Sequence, residues 1–145
     1  MIKWIHKEYH DLSKDELYDL LKLRQEVFIV EQNCNYLDAD NYDLNSIHLM
    51  AYKEFELVAY MRIVPAGTLY PNISFGRILV RKDLRGLGVG KELLTKGIAL
   101  FDHNETLVMS AQVYLVKFYE FFGFMTIGEE FLEDEIPHIK MIRNG

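Results

Sequence analysis

The sequence predicts a single α+β domain over residues 1–145, with a mixed central sheet of about seven strands flanked by helices. Half of the residues are hydrophobic, which is enough for one sizeable core in a chain of 145 residues. Segments with strand-like alternation are interspersed with segments of helical period, as expected for helices packed on a sheet. No repeat, linker or low-complexity tract divides the chain.

The first 45 residues predict one strand, one helix and a long loop. Ile2–Glu8 alternates apolar and polar side chains, which is typical of a strand. The Ser13-Lys14-Asp15-Glu16 pattern is a capping box and predicts a helix that ends near Val30. Glu31–Asn45 is rich in Asn, Asp and Tyr without a clear period, so we expect a loop with a short helical turn.

The rest of the chain predicts further strands and two helices. Gly76 indicates a β-bulge within a strand, and Gly123 is the expected C-cap of the last helix. The helices are expected at Val89–Phe101 and Val113–Phe122. The strands are expected at Ile47–Lys53, Leu57–Pro65, Ile73–Val80, Leu107–Ala111, Phe124–Leu132 and Ile136–Ile142.

Composition excludes several classes of function. The formal net charge of −6 disfavours sequence-independent binding of nucleic acid. Cys34 is the one cysteine, so no internal disulfide can form, which fits a reducing compartment. No segment approaches the roughly 18 apolar residues of a membrane span, and the first residues carry no apolar signal core. Asp38–Asp43 lacks the glycine and final glutamate of a calcium loop. We expect a cytoplasmic protein without a metal, a nucleic-acid partner or a membrane partner.

The most informative motif is a glycine-rich turn, Arg85-Gly86-Leu87-Gly88-Val89-Gly90, between the apolar Ile78-Leu79-Val80 and a predicted helix. Glycines leave main-chain N–H groups open, and the helix N-terminus adds unpaired N–H groups and partial positive charge. Such a turn accepts a phosphate or diphosphate, so we expect a nucleotide-like cofactor. The spacing fits neither a dinucleotide-binding fingerprint nor a Walker A loop. A local basic patch supports an anionic ligand; it comprises Arg77, Arg81, Lys82, Arg85 and Lys91.

Two motifs in register resemble the GNAT N-acyltransferase superfamily. Arg85-x-x-Gly88-x-Gly90 after an apolar strand is similar to its acyl-CoA-binding motif, and Phe118–Phe124 is similar to its second signature, a helix with a tyrosine before Gly-Phe. Leu23–Cys34, Leu57–Ile63 and Ile136–Ile139 resemble the ElaA branch of this superfamily. The resemblance covers nearly the whole chain.

The resemblance implies transfer of an acyl group, most simply acetyl, from coenzyme A directly to a primary amine on a small molecule or peptide. It implies that the strand before the turn pairs with the pantetheine arm, that N–H groups near Leu79 polarise the thioester, and that the turn binds the diphosphate. Gln112 stands where the family often has asparagine. The cofactor residues it implies are Ile78, Leu79, Val80, Arg85, Gly86, Leu87, Gly88, Val89, Gly90, Lys91 and Gln112.

The same resemblance gives Tyr119 the role of protonating the departing thiolate, with packing or holding of the sulfur as its alternatives. Arg77 stands where many members carry glutamate, and arginine cannot act as a base at neutral pH. Glu31, at the end of the first helix, and His138, on the last strand, are therefore the candidate bases. Their alternatives are a solvated carboxylate and a packing histidine. Arg77 could instead bind an acidic group on the acceptor.

Two other functions stay open at this point. One is a noncatalytic acyl-CoA-binding or sensing module, since the usual glutamate is absent. The other is an enzyme similar to acyl-homoserine-lactone synthases, which share the Leu-Arg-x-x-Val-Phe pattern near Leu23. The identity of the acceptor is open as well. A homodimer is compatible with the strand aromatics Tyr52, Tyr60 and Phe131, which could equally fill the core.

Overall fold

The computed structural model describes residues 1–145 and contains one mixed sheet of seven strands, which confirms the predicted fold class. The strands are β1 (Ile2–Glu8), β2 (Ile47–Lys53), β3 (Glu56–Val64), β4 (Ile73–Val80), β5 (Leu107–Gln112), β6 (Met125–Glu133) and β7 (Ile136–Arg143). They lie in the order β1-β2-β3-β4-β5-β7-β6. Every neighbouring pair is antiparallel except β4 and β5, which are parallel.

Three α-helices flank the sheet: α1 (Lys14–Arg24), α2 (Val89–Ala99) and α3 (Val116–Glu120). The predicted capping box begins α1, because the Ser13 hydroxyl accepts a hydrogen bond from the Glu16 N–H, and the Glu16 carboxylate accepts one from the Ser13 N–H. None of the helices is both long enough and apolar enough to cross a membrane.

The helix predicted to end near Val30 changes character before its end. Beyond Arg24 it continues as a wider π-helical segment over Gln25–Glu31. Insertions of this kind are frequent at functional sites, because they re-aim the side chains of the last turns. Here the segment aims Phe28 and Glu31 toward the middle of the sheet, where both line cavities.

Alternation along the strands divides the core into two layers. On β3, Met61 packs in the larger layer beneath α2. The preceding residue, Tyr60, faces the other side of the sheet and packs in the smaller layer beneath α1. Gly97 of α2 lets this helix lie close to β3, since a Cβ there would overlap the Met61 side chain. Tyr60 is fully buried and therefore fills the core, whereas Phe131 on the edge strand β6 is 42% exposed.

The sheet is open between β4 and β5. These strands pair only at Ile73 with Leu107 and Ser74 with Val108, and then separate. On its other edge β4 stays paired with β3 but carries a bulge, which confirms the irregularity indicated by Gly76. The extra residue is Arg77, whose φ of 50° is in the left-handed region. The bulge bends β4 away from β5, so main-chain groups on the β5 side of β4 have no strand partner.

Candidate active site

The gap between β4 and β5 opens onto two adjoining cavities. The first, of about 610 Å³, lies over the glycine-rich turn, and we call it the turn cavity. The second, of about 310 Å³, lies beneath the loop that follows the π-helical segment, and we call it the loop cavity. Six residues line both and so form their junction: Phe28, Gln32, Ile78, Gln112, Leu115 and Tyr119.

The glycine-rich turn contributes main-chain groups to the turn cavity. Gly86 and Gly88 have φ of +81° and +86°, and no atom lies within 4 Å of where their side chains would be. Gly88 is the N-cap of α2, and no side chain caps this helix. The N–H groups of its first turn are therefore free to bind an anion. Gly90 brings α2 close to Phe118, whose Cζ would lie 3.5 Å from an added Cβ.

The side chains of the basic patch differ in whether they are already paired with a carboxylate. Arg81 is bound by Asp83 and Glu56. Arg85 donates from Nε to the Val80 carbonyl at 2.8 Å, and its other nitrogens bond both carboxylate oxygens of Glu31, one of them at 2.9 Å. The Arg85 guanidinium lowers the pKa of Glu31 below its ordinary value. Lys91 also lines the turn cavity, and its Nζ lies 4.9 Å from the centre of the Phe121 ring.

The residues predicted to hold the cofactor line the turn cavity, except Leu87 and Val89. The Leu87 side chain is 70% exposed, and Val89 is buried in the larger core layer. Both belong to the turn, so they would contribute main-chain groups only. The sequence did not indicate Gln32, which exchanges side-chain amide contacts of 3.4–3.5 Å with Gln112 across the junction. Nothing local marks this pair, because the two residues are 80 positions apart.

Tyr119 lies at the junction of the two cavities. The residue is 5% exposed and packs edge-to-face against Phe118, with ring centres 5.3 Å apart. Burial, with a smaller effect of Tyr114, raises the pKa of the Tyr119 hydroxyl above its ordinary value. The phenol is therefore neutral at physiological pH, which is the state needed to donate a proton.

His138 lies in the loop cavity, whereas Glu31 lies on the turn side. The Nδ1 of His138 is 2.7 Å from the Ile136 carbonyl, an acceptor only, so Nδ1 donates this hydrogen bond and the second ring nitrogen, Nε2, is left for other partners. That Nε2 lies 3.4 Å from a carboxylate oxygen of Glu133. The imidazole is 6% exposed and stacks on Phe131, which holds its orientation.

A buried ionic network supports the loop cavity. Arg24 binds Asp38 at 2.8 Å and Asp43 at 2.7 Å, and Arg62 binds Asp43 at 3.1 Å. Burial raises the pKa of Asp43, but hydrogen bonds and charge from Arg24 and then Arg62 outweigh it, so the pKa lies below its ordinary value. The sequence did not indicate this network, whose members come from three separate segments of the chain.

Arg77 belongs to the same network. Its Nε donates to an Asp38 carboxylate oxygen at 2.8 Å, and one Nη lies 3.3 Å from Asp40. Asp40 also binds Arg62 at 2.7 Å. The arginine that the sequence suggested for an acidic group on the acceptor is thus already paired with carboxylates of its own chain.

Comparison with known proteins identifies the family. Residues 11–144 match the acetyltransferase (GNAT) domain. The chain belongs to this family. Protein ElaA of Escherichia coli K12 is 40% identical over 99% of this chain and 97% of its own length. A UPF0039 protein of Synechocystis is 42% identical over 97% of this chain and 94% of its own length.

Solved structures agree with this assignment. The crystal structure of Escherichia coli ElaA superposes with a TM-score of 0.93 at 40% identity, covering 99% of this chain and all of the other. An acyl-CoA N-acyltransferase from Pseudomonas aeruginosa superposes with a TM-score of 0.94 at 36% identity, covering 99% of both chains. The protein is therefore a GNAT-type acyltransferase of the ElaA-like branch.

Proposed function

We propose that this GNAT protein transfers an acetyl or short acyl group from acyl-CoA to a primary amine, by direct attack while both substrates are bound. The observation that carries the proposal is the position of Tyr119 at the junction of two cavities. One cavity offers free main-chain N–H groups for a diphosphate, and the other is lined by His138, whose Nε2 lies beside the Glu133 carboxylate. A donor and an acceptor entering from the two sides would meet at Tyr119.

The turn cavity fits coenzyme A. Its free N–H groups and Lys91 suit the diphosphate, and the edge of β4 from Ile78 to Val80, which has no strand partner, suits the amides of the pantetheine arm. The N–H groups on that edge near Leu79 would polarise the thioester carbonyl. Gln112 lines the junction and offers an amide at the end of the arm.

The acceptor amine would occupy the loop cavity as it reacts. His138 Nε2 accepts the proton that the attacking nitrogen loses. The nitrogen forms a bond to the thioester carbonyl carbon, and the bond from that carbon to sulfur breaks. Tyr119 donates its hydroxyl proton to the departing sulfur, so the products are an amide and the free thiol. We prefer His138 to Glu31 as the base, because Arg85 lowers the pKa of Glu31 and holds it on the turn side.

Thiol release from acetyl-CoA with a panel of primary amines tests the proposal. We expect turnover with at least one amine, and a Tyr119→Phe variant should lower kcat about 100-fold while it retains its affinity for CoA. A matched Tyr9→Phe variant, changed at a site outside both cavities, should keep the wild-type rate.

Two outcomes would contradict the proposal. Tight CoA binding without thiol release across the panel would favour a noncatalytic sensor. Release of methylthioadenosine from S-adenosylmethionine would favour an activity similar to that of the lactone synthases.

A further inference from the structure

One residue that lines the loop cavity has no side chain. Gly76 lines this cavity, and no atom lies within 4 Å of where its Cβ would be. Its φ is not positive, so the backbone does not require glycine. Protein packing does not require it either. A glycine in a strand marks a bulge, here the one at Arg77, or a place where a ligand approaches the main chain closely, and the open space over Gly76 suits the second role as well.

Two polar side chains flank this gap in a single row across the sheet. Arg62 on β3 is the register partner of Gly76 on β4, so both face the same side. Ser74 on β4 is the register partner of Val108 on β5. Two residues further along, where these strands separate, Ser110 is level with Gly76. Both Arg62 and Ser110 line the loop cavity.

The same two side chains contain the buried side-chain polar atoms that have no hydrogen-bond partner, Arg62 Nε and Ser110 Oγ. A buried donor without an acceptor costs free energy, and each such group calls for an explanation. The Arg62 side chain is 2% exposed, and the Ser110 hydroxyl can rotate toward a ligand. A ligand oxygen over Gly76 would accept from Arg62 Nε and exchange a hydrogen bond with Ser110.

The charges around the gap favour an uncharged oxygen. The Nη1 and Nη2 atoms of Arg62 bind both carboxylate oxygens of Asp40, and Nη1 also binds Asp43, so its positive charge is already balanced. The loop cavity also contains the carboxylates of Glu133 and Asp134. A carboxylate on the ligand would meet this excess of negative charge, whereas a hydroxyl or amide carbonyl would not.

The distance to the reaction centre follows from the strand spacing. Gln112 is the register partner of His138, and Ser110 precedes it by two residues on β5. Two residues of a strand span about 7 Å. If the amine reacts beside Gln112 and His138, the oxygen over Gly76 lies about 7 Å from it, which corresponds to a chain of about five carbons.

We propose that the acceptor is a small amine that also carries an uncharged oxygen, a hydroxyl or an amide carbonyl, bound over Gly76 between Arg62 and Ser110. This inference rests on the proposed function in taking the loop cavity as the acceptor side. It makes Gly76 and Ser110 specificity-determining residues. Neither takes part in the proton transfers.

Matched probes test the oxygen. Aminopentanol, pentylamine and aminopentanoate are titrated calorimetrically into the CoA-saturated protein, and each is also assayed for turnover with acetyl-CoA. We expect aminopentanol to bind about tenfold more tightly than pentylamine, as one added hydrogen-bonded group allows. Aminopentanoate should bind no better than pentylamine. Equal binding of aminopentanol and pentylamine would overturn the proposal, and tighter binding of aminopentanoate would overturn the uncharged oxygen.

Variants of the residues around the gap test where the ligand oxygen binds. Ser110→Ala should reduce the preference for aminopentanol to about twofold, and Gly76→Ala should weaken aminopentanol binding about tenfold by filling the gap. Both should bind CoA as the wild type does, which shows that they fold. Thr95→Ala, which removes an exposed hydroxyl on α2, is the control and should keep the preference. A Ser110→Ala protein with the full preference would overturn the subsite.

The two readouts separate this inference from the proposed function. A binding preference without turnover of any amine would support the subsite and contradict the transferase. Turnover without a binding preference would support the transferase and overturn the subsite.

Discussion

The turn cavity and the loop cavity adjoin each other but are built by different means. The anion-binding part of the turn cavity is built from the main chain of one contiguous segment, the glycine-rich turn and the start of α2. The loop cavity depends on side chains that the fold brings together from five strands and the loop after the π-helical segment. A ligand common to a whole family can be bound by main-chain groups, whereas a particular acceptor needs side chains.

The two cavities also differ in whether their charged side chains have partners of opposite charge. Lys91 lines the turn cavity without a carboxylate partner, so it is available to an anion. Beneath the loop cavity, three arginines are balanced by three aspartates, and Arg24 is completely buried. The comparison predicts that charge changes in the buried network on the loop side cost more stability than charge changes on the turn side.

The largest expected effect is on the buried network. Arg24→Ala removes one of the two arginine partners of both Asp38 and Asp43, and leaves the buried network with an excess of negative charge. We expect the free energy of unfolding to fall by about 3–5 kcal/mol, measured by urea denaturation. Lys22, an exposed residue near Arg24 on the same helix, provides the control. Lys22→Ala should change the free energy of unfolding by less than about 0.5 kcal/mol. A loss of similar size in both variants would show that the network does not carry this stability.

The next effect separates chemistry from cofactor binding. His138→Gln keeps a polar side chain on the loop side but removes the proton acceptor, so kcat should fall about 100-fold while CoA affinity stays unchanged. Stopped-flow turnover and calorimetry measure the two quantities. His103→Gln, at an exposed turn, should leave both unchanged. An unchanged kcat in His138→Gln would remove His138 from the mechanism.

A smaller effect tests the main-chain site. Gly88→Ala forces an alanine into φ of +86°, which costs roughly 1–2 kcal/mol. The turn can relieve this strain by rotating its N–H groups away, so CoA should bind about tenfold more weakly. Gly67→Ala has the same strain, with φ of +79°, but lies outside both cavities and should retain the wild-type affinity. Equal weakening in both variants would count against direct binding by the turn.

The smallest effect concerns Glu31. Because Arg85 lowers the folded-state pKa of Glu31, the pair stabilises the fold above the unfolded value near 4.5 and loses that contribution as the pH falls through the folded pKa. The pair is about one-third exposed, so Glu31→Gln should cost less than about 1 kcal/mol at pH 7. Urea denaturation at several pH values should show the difference from wild type shrink as the pH falls below 4.5 toward the folded-state pKa. Glu26→Gln, in the same segment, should show no such dependence; a pH-independent difference in Glu31→Gln would exclude the linkage.

Much of the fold could be predicted because its signals are local. The alternation of β1, the Ser13 capping box and the apolar strands each follow from consecutive residues. The irregularity of β4 was also indicated by Gly76, although the residue that bulges is Arg77. The change of α1 to a π-helix could not be predicted, because wide turns of this kind have no distinct periodicity over seven residues.

The candidate site also has a part that local sequence signals specify and a part that they do not. The amino-acid sequence determined the glycine-rich turn of the turn cavity, since glycines, an apolar strand and a helix start specify main-chain geometry over a dozen consecutive residues. The tertiary structure alone decided the loop cavity. It opened β4 from β5, paired Arg77 with Asp38, and set Arg62 and Ser110 around Gly76. Those contacts join residues far apart in the chain, and their formation depends on how whole strands and loops pack rather than on any short pattern.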